Sequence, residues 1–399
     1  MKKLITIALA VSMLLSFCSC SFIRDVRSEF IKKQILASFN SGDTLGVSEE
    51  SGSFDALFEP FLGDFMISGI QSDSGLKKVW KNAHLLALDY SSLTGSMYIF
   101  YNPTQKKAYQ YFFKGEKVTS VGSSKTEENP TTLFSAFGLD VSMFYQEKSN
   151  KPAMRDLTAE DLTVSDDYKT CYISEDYIKE LAKASYVTAE IYSEKELERY
   201  FEGFTGSGAL NIEENTLEIS FSSTGENAPK MAVDMVFTFV DAESMNALIT
   251  VKGEQAIDGQ IVPMEITMSI NELRMVEDKP VKMDMAVTTK YRMQESGITV
   301  DGSKTDVCKI DVTDASKSKL LLTSNQKLKY TQNGSLESQA SSEVYFAIDT
   351  SKTEEALVYR TKNNNSLTLE ITADSVFFGE HESVAPASVR QKYSSDSAK

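Results

Sequence analysis

From Met231 to Met293 the chain alternates apolar and polar residues almost without a break. Met264, Ile266, Met268 and Ile270 fall on one face, with Glu265, Thr267, Ser269 and Asn271 on the other. Met231, Val233, Met235, Phe237 and Phe239 repeat the pattern, as do Val281, Met283, Met285 and Val287. Side chains of a strand point to opposite faces in turn, so this pattern specifies antiparallel sheet with one dry and one wet face. A helix would scatter the same residues around its whole circumference. The stretch therefore constrains the fold more than any other feature of the chain.

Its hairpins can be given a register. Asp258-Gly259 suits a two-residue turn whose central residues both take positive φ. That turn sets Val251 against Ile266, Ile249 against Met268 and Ala247 against Ile270, so apolar side chains meet across the ladder. The next connection reads as Asp278-Lys279-Pro280. Near it Met275 faces Met283 and Leu273 faces Met285. Farther along, Ile270 faces Val287 and Ile266 faces Tyr291. The two halves differ by one residue on the first strand, which predicts a β-bulge at Asn271-Glu272.

The chain starts with Met1-Lys2-Lys3 and an apolar run from Leu4 to Leu15, a secretory signal too short to span a bilayer comfortably. Ser16-Phe17-Cys18-Ser19-Cys20-Ser21 follows. Here the chain resembles bacterial lipoproteins, whose signal peptides end in a small residue before a cysteine that is acylated and becomes the mature N-terminus. Ser19-Cys20 matches that junction, whereas Phe17-Cys18 places too large a residue before the cleavage point. The resemblance implies a lipid, palmitate among its acyl chains, on Cys20. It places the protein at the bacterial cell membrane, on the extracytoplasmic side. Each buried methylene of such chains contributes about 0.8 kcal/mol, so several chains anchor firmly.

Net charge is −16 over 399 residues. Loss of a signal ending at residue 19 would remove two lysines and make the remainder more acidic. Nucleic acid is excluded as a partner, since neutralising phosphates needs clustered Lys and Arg. Electrostatic adhesion to an anionic bilayer is disfavoured for the same reason. Beyond Cys18 and Cys20, the cysteines are Cys171 and Cys308. An extracytoplasmic pair could form a disulfide, but their neighbours Tyr172, Val307 and Ile310 favour two separate buried thiols in strands.

Residues 1–19 thus read as signal peptide, and 20–53 as lipid anchor, amphipathic helix and linker. The helix carries Phe22, Val26, Phe30, Ile31, Ile35 and Phe39 on one face; its mixed-charge polar face favours packing on the body over lying on the membrane. Residues 54–192 form a mixed segment with strands at Phe65–Ile70, Val79–Leu88, Ser96–Tyr101, Lys107–Phe113 and Thr163–Ile173. Ser174-Glu175-Asp176 opens a helix through Ala184. Residues 193–393 form the meander. A helix starts there at the capping box Ser193/Glu196 and stops at Gly206-Ser207-Gly208; strands follow from Leu217, with hairpins at Asp301-Gly302 and Asn333-Gly334. The tail, 394–399, reads as disordered. The fold class is α+β, mostly antiparallel β: a long, curved, half-barrel-like meander with a few covering helices.

Catalytic patterns are missing. The two histidines are His84, in an apolar stretch, and His381, near the C-terminal tail. No nucleophile elbow, Walker loop, dinucleotide fingerprint, H-E-x-x-H or Cys-x-x-Cys occurs. The acid pairs Asp166-Asp167, Glu213-Glu214 and Glu354-Glu355 sit in turns, where carboxylates are usually solvated. Neither an enzyme, nor a cofactor, nor a metal is expected.

The methionines point elsewhere. Met is flexible and polarizable, suited to moulding around variable apolar surfaces. Together with the lipid anchor and the long one-faced sheet preceded by helices, the pattern over residues 193–393 resembles half-barrel lipoprotein carriers of the LolA and LppX type. That resemblance implies a lipid or other hydrophobic ligand on a concave face, here Met231, Met235, Met264, Ile266, Met268, Ile270, Met283, Met285 and Val287. The alternative is a closed core in a surface interaction or structural lipoprotein that meets another protein or the cell envelope.

Overall fold

The computed structural model describes Lys32, Ile35 and Leu36; residues 55–61, 65–69, 71–72, 80–82, 85–88, 96–102, 107–114 and 117–125; and 157–378 apart from 166, 168, 189–200, 202, 225–229, 242, 258–259 and 277–278. The signal peptide, Cys20, the linker, the helix expected from Ser193, His84, His381 and the tail lie outside the described residues. Lys32, Ile35 and Leu36 are helical, and Ile35 is buried. Lys32 Nζ donates to the Ala159 carbonyl at 3.3 Å. This part of the N-terminal helix packs on the body, as its mixed-charge polar face favours.

The first strands are β1 (Phe65–Ser68), β2 (Gln71–Ser72), β3 (Trp80–Asn82), β4 (Leu85–Leu88), β5 (Ser96–Asn102), β6 (Lys107–Lys114) and β7 (Lys117–Lys125). They are followed by β8 (Leu162–Val164), β9 (Thr170–Ile173), helix α1 (Glu175–Thr188), β10 (Thr205–Asn211), β11 (Thr216–Ser223), β12 (Met231–Phe239), β13 (Ser244–Ile257), β14 (Gln260–Val276) and β15 (Lys279–Glu295). The last are β16 (Ile298–Asp311), β17 (Lys319–Gln332), β18 (Ser335–Asp349), β19 (Leu357–Asn363), β20 (Ser366–Ala373) and β21 (Ser375–Phe378). The fold is mostly antiparallel β with few helices. One sheet of fourteen strands runs β2-β20-β19-β18 and then down in sequence order to β8, without closing on itself. A five-stranded sheet, β21-β1-β5-β6-β7, and the hairpin β3-β4 complete it.

Two compact units divide the chain. One takes Lys148–Val307 and Gln326–Ala340 with the N-terminal Met1–Ala56; the other takes Leu57–Glu147, Cys308–Asn325 and Ser341–Lys399. The division does not fall at residue 193, because β8, β9 and α1 belong to the same unit as β10 to β15.

Within the first unit, aligned rows of side chains cross eight strands. Leu162, Ile173, Gly208, Ile219, Met235, Ile249, Met268 and Val287 make one row from β8 to β15. Val164, Cys171, Leu210, Leu217, Phe237, Ala247, Ile270 and Met285 make the next. Apart from the half-exposed Val164, every member of these rows is buried. Removing that much apolar surface from water is the main favourable contribution to such a unit.

The Asp258-Gly259 register holds: Val251 pairs with Ile266, Ile249 with Met268 and Ala247 with Ile270. The bulge holds too. On β14 the step from Ile270 to Glu272 is matched by a single step from Met285 to Asp284 on β15, leaving Asn271 as the extra residue. Against β13 the same residue is the excess opposite Asn246. Asn246, with its amide turned to face oxygen, donates to the Asn271 carbonyl at 2.7 Å. Asn271 Nδ2 in turn donates to Asp284 Oδ1 at 3.3 Å. Ile270 and Leu273 therefore both stay buried although their spacing is odd.

Three expectations need correction. The β14–β15 register is offset by two residues: Leu273 pairs with Met283, Ile270 with Met285, and Met264 with Tyr291. Val276 pairs with Lys279, so the connection is shorter than Asp278-Lys279-Pro280, and a second irregularity between Arg274 and Met275 absorbs one residue near Val281. An offset of two keeps every side chain on its face, so alternation alone could not detect it. Asp301-Gly302 is no turn but lies inside β16; the reversal uses Ser296 and Gly297, both at positive φ. Gly302 is needed there because a Cβ would collide with the Tyr291 ring, and Asp301 instead accepts from Arg292 Nε at 2.6 Å. Gly206-Ser207-Gly208 does not stop a helix but opens β10. A Cβ on Gly208 would lie 3.0 Å from Ile178 Cδ1, so the missing side chains let α1 settle directly on the strand.

Asn333-Gly334 does form a turn, with φ of 49° and 84°. Thr163–Ile173 is split into β8 and β9 because Asp167 Oδ1 accepts from Ser165 Oγ and the Lys169 amide at 2.7 and 3.1 Å, holding a tight reversal. Ser174 caps α1, accepting from the Tyr177 amide at 3.2 Å and donating to buried Asp161.

Deleting Asn271 forces either Ile270 or Leu273, with the residues beyond it, onto the wet face. Each core side chain so displaced loses about 1.5–3 kcal/mol. Urea denaturation of the deletion variant is expected to show a loss of several kcal/mol, whereas Asn271→Gly, which keeps the extra residue, loses far less.

Candidate functional site

The nine apolar residues of the candidate ligand face lie on one side of the sheet. Met235, Met268 and Val287 share one row, Ile270 and Met285 the next, and Met231 and Met264 meet at Gly253 one strand apart on each side. Ile266 lies between Val251 and the buried Thr289. None of the nine exposes more than 9% of its surface, and Met285 and Val287 expose none. Met245 and Val251 on β13, and Val262 and Leu273 on β14, are buried with them. The face is thus covered, and a ligand in contact with these side chains would have to be enclosed by the protein.

The opposite face of the same strands carries paired charges. Lys252, Glu265 and Lys290 line up across β13, β14 and β15, with Lys290 Nζ 3.0 Å from Glu265 Oε1. Lys282 reaches Glu272 at 2.8 Å and Arg274 reaches Glu243 at 3.2 Å. Hydrogen bonding to Lys290 holds the Glu265 carboxyl below its usual range, and Arg292 does the same to Asp301. Such solvated pairs contribute little to stability and mark a surface rather than a reaction centre. A threonine row, Thr250, Thr267 and Thr288, continues through a 3.1 Å hydroxyl contact to Thr305. Beside it Val236 and Leu248 pair and are exposed.

Two of the acid pairs are neighbours on the surface, with Lys169 beside both Asp167 and Glu213. Glu213 bonds Lys169 at 2.9 Å on the surface, and the amides of Glu213 and Glu214 are both held by Asn211 Oδ1. Glu354 and Glu355 are exposed. Among the described residues no group of three His, Cys, Asp or Glu could hold a metal ion. Nor is any described helix long and apolar enough to cross a membrane.

Cys171 and Cys308 are separate buried thiols outside any disulfide, the arrangement their neighbours suggested. Burial pushes the Cys171 thiol up to about 11, with the Lys32 ammonium pulling weakly the other way. Such a thiol is protonated and inert near neutrality. Sequence reasoning missed that Cys171 belongs to the apolar row of Leu210 and Leu217; its place opposite Leu210 depends on β10, which the glycines had disguised.

The chain matches no known protein family, and neither a characterised protein nor a solved structure shows significant similarity to it. The half-barrel carrier resemblance therefore rests on strand pattern alone.

Two measurements follow from this geometry. Met268→Glu with Met285→Glu buries two unpaired carboxylates and is expected to unfold the unit, by loss of near-UV circular dichroism, whereas Met268→Leu with Met285→Leu should cost under about 1.5 kcal/mol each. Burial also raises Tyr359, to about 12. Both protons favour the fold, so their contribution is complete below about pH 9, the ordinary thiol value, and is lost as pH rises towards 12. Denaturation midpoints should fall across that window, and less steeply in a Cys171→Ala, Tyr359→Phe variant.

Proposed function

We propose that this chain is a bacterial lipoprotein, held at the extracytoplasmic side of the membrane through acylated Cys20, that serves as an interaction or structural protein with a closed apolar core. The observation that carries the choice is the burial of all nine residues of the Met-rich face. Side chains this far out of water read as packed interior, where voids are few and small. The exposed surface is what remains for contact with another envelope component. On the outer face of β12 to β15, paired charges flank the uncharged strip of Val236, Leu248 and Thr267.

Lipid carriage is the second reading, and one feature favours it. Met231, Met235, Met264, Met268, Met283 and Met285 supply unbranched thioether side chains that can repack around an acyl chain. In that case the ligand is enclosed and enters only when the face opens.

The two readings separate in native mass spectrometry of the full-length protein released from detergent. The closed-core reading expects the mass of the acylated chain alone. A stoichiometric phospholipid or fatty acid that survives release, and that is extracted by organic solvent, would replace it with carriage. The anchor is tested separately: Cys20→Ala is expected to abolish radiolabelled palmitate incorporation and to move the protein out of the membrane fraction. Label persisting in that variant would remove the lipoprotein assignment.

A further inference from the structure

We propose that the first unit meets the lipid surface with the hairpin tips of β13–β14, β15–β16 and β17–β18. Ile261, Ile298 and Leu336 then enter the bilayer interface, and the opposite, acidic end of the sheet turns outward. The inference rests on the acylated Cys20 of the functional reading and adds the surface by which the anchored chain touches its membrane.

Strands of this unit alternate in direction, so their connections gather at two ends. At one end lie the connections β8–β9, β10–β11, β12–β13 and β14–β15. Backbone bonds join them in turn. The Ile212 amide donates to the Lys169 carbonyl at 2.8 Å, the Phe239 amide to that of Asn215 at 2.9 Å, and the Met275 amide to that of Glu243 at 2.6 Å. In the sequence each of these connections carries two acids, as in Glu213-Glu214 or Asp241 with Glu243. Lys169, Arg274 and Lys279 lie among them, so acids outnumber bases and the end is strongly negative.

The other end differs in kind. Its turns are Asp258-Gly259, Ser296-Gly297 and Asn333-Gly334; Asp258 is the one acid within them, with Glu295 and Glu337 beside. Gln260 and Glu295 each lie four residues from the pair Met264–Tyr291, so the first two turns end level. The Asn333 amide donates to the Gly297 carbonyl at 3.3 Å, which ties the third turn to the second. Just past these turns stand Ile261, 72% exposed, Ile298, 43%, and Leu336, 54%. They occupy alternate strands, about 10 Å from one to the next. A single exposed aliphatic is ordinary, but one at each of three adjacent tips gives this end an apolar rim. Val240 and Val276 are exposed at the acidic end, yet each is followed directly by an acid, Asp241 and Glu277.

The anchor can reach this end. Lys32 is bonded to the Ala159 carbonyl, on the side of β8 away from its turn to β9. The twelve residues from Cys20 to Lys32 extend to about 40 Å. The six strand spacings from β8 to β14 amount to about 29 Å. An anionic bilayer repels the acidic end, while the aliphatic tips gain by burial in the interface.

The test uses the full-length chain floated with liposomes of phosphatidylethanolamine and phosphatidylglycerol. A polarity-sensitive fluorophore is attached to Ile261→Cys, Leu336→Cys or Val240→Cys; Cys171 and Cys308 are buried and do not compete. Quenching by lipids spin-labelled near the headgroup is expected at Ile261→Cys and Leu336→Cys, and not at Val240→Cys. Adding Ile298→Ser and Leu336→Ser to Ile261→Cys should lower its quenching about tenfold. Floated protein whose tip labels stay unquenched, or whose Val240→Cys label is quenched as strongly, would overturn the orientation and leave the lipoprotein reading standing. Failure to float would remove that reading and this proposal together.

Discussion

The first unit depends on keeping apolar side chains in phase across eight strands, from Leu162 on β8 to Val287 on β15. Phase is a strict requirement because a strand has only two faces. A slip of one residue would move a whole row of Met, Ile and Val into water and replace it with Glu, Thr and Lys. On β14 the chain cannot satisfy this by alternation alone, since the apolar positions change from even to odd numbers between Ile270 and Leu273. One extra residue, Asn271, restores the phase, and hydrogen bonds from Asn246 and to Asp284 hold it between both neighbouring strands.

The same rows explain why glycine, cysteine and threonine occupy particular places. Gly208 stands in a row of large apolar residues because α1 approaches there and Ile178 takes the space a side chain would fill. Cys171 sits on the neighbouring strand in the next row, opposite Leu210, as a small apolar group, and its raised proton affinity is a consequence of that packing. Gly302 on β16 yields to the Tyr291 ring in the same way. Each of these residues looks like a motif or a turn when read alone. In the folded unit each is a response to a neighbour distant in sequence.

The burial of the Met-rich face bears on function through the same physics. An apolar sheet face has to be covered by something: by protein, by a ligand, or by a partner. Here the side chains that would line a groove are already out of water, so exposed character passes to the charge-paired outer face and to the ends of the strands.

By itself the sequence determined the β class, the inward face of each strand in the meander, the Asp258-Gly259 and Asn333-Gly334 reversals, and the bulge at Asn271. All of these follow from alternation or from turn residues close together in the chain. Tertiary structure decided the β14–β15 register, because an offset of two preserves every face and leaves no trace in the pattern. It also decided that Asp301-Gly302 and Gly206-Ser207-Gly208 are strand, since Tyr291 and Ile178 reach them across space. Finally it decided that the methionine face is enclosed: alternation says which side of a strand turns away from water, but only packing against other parts of the chain says what fills that side.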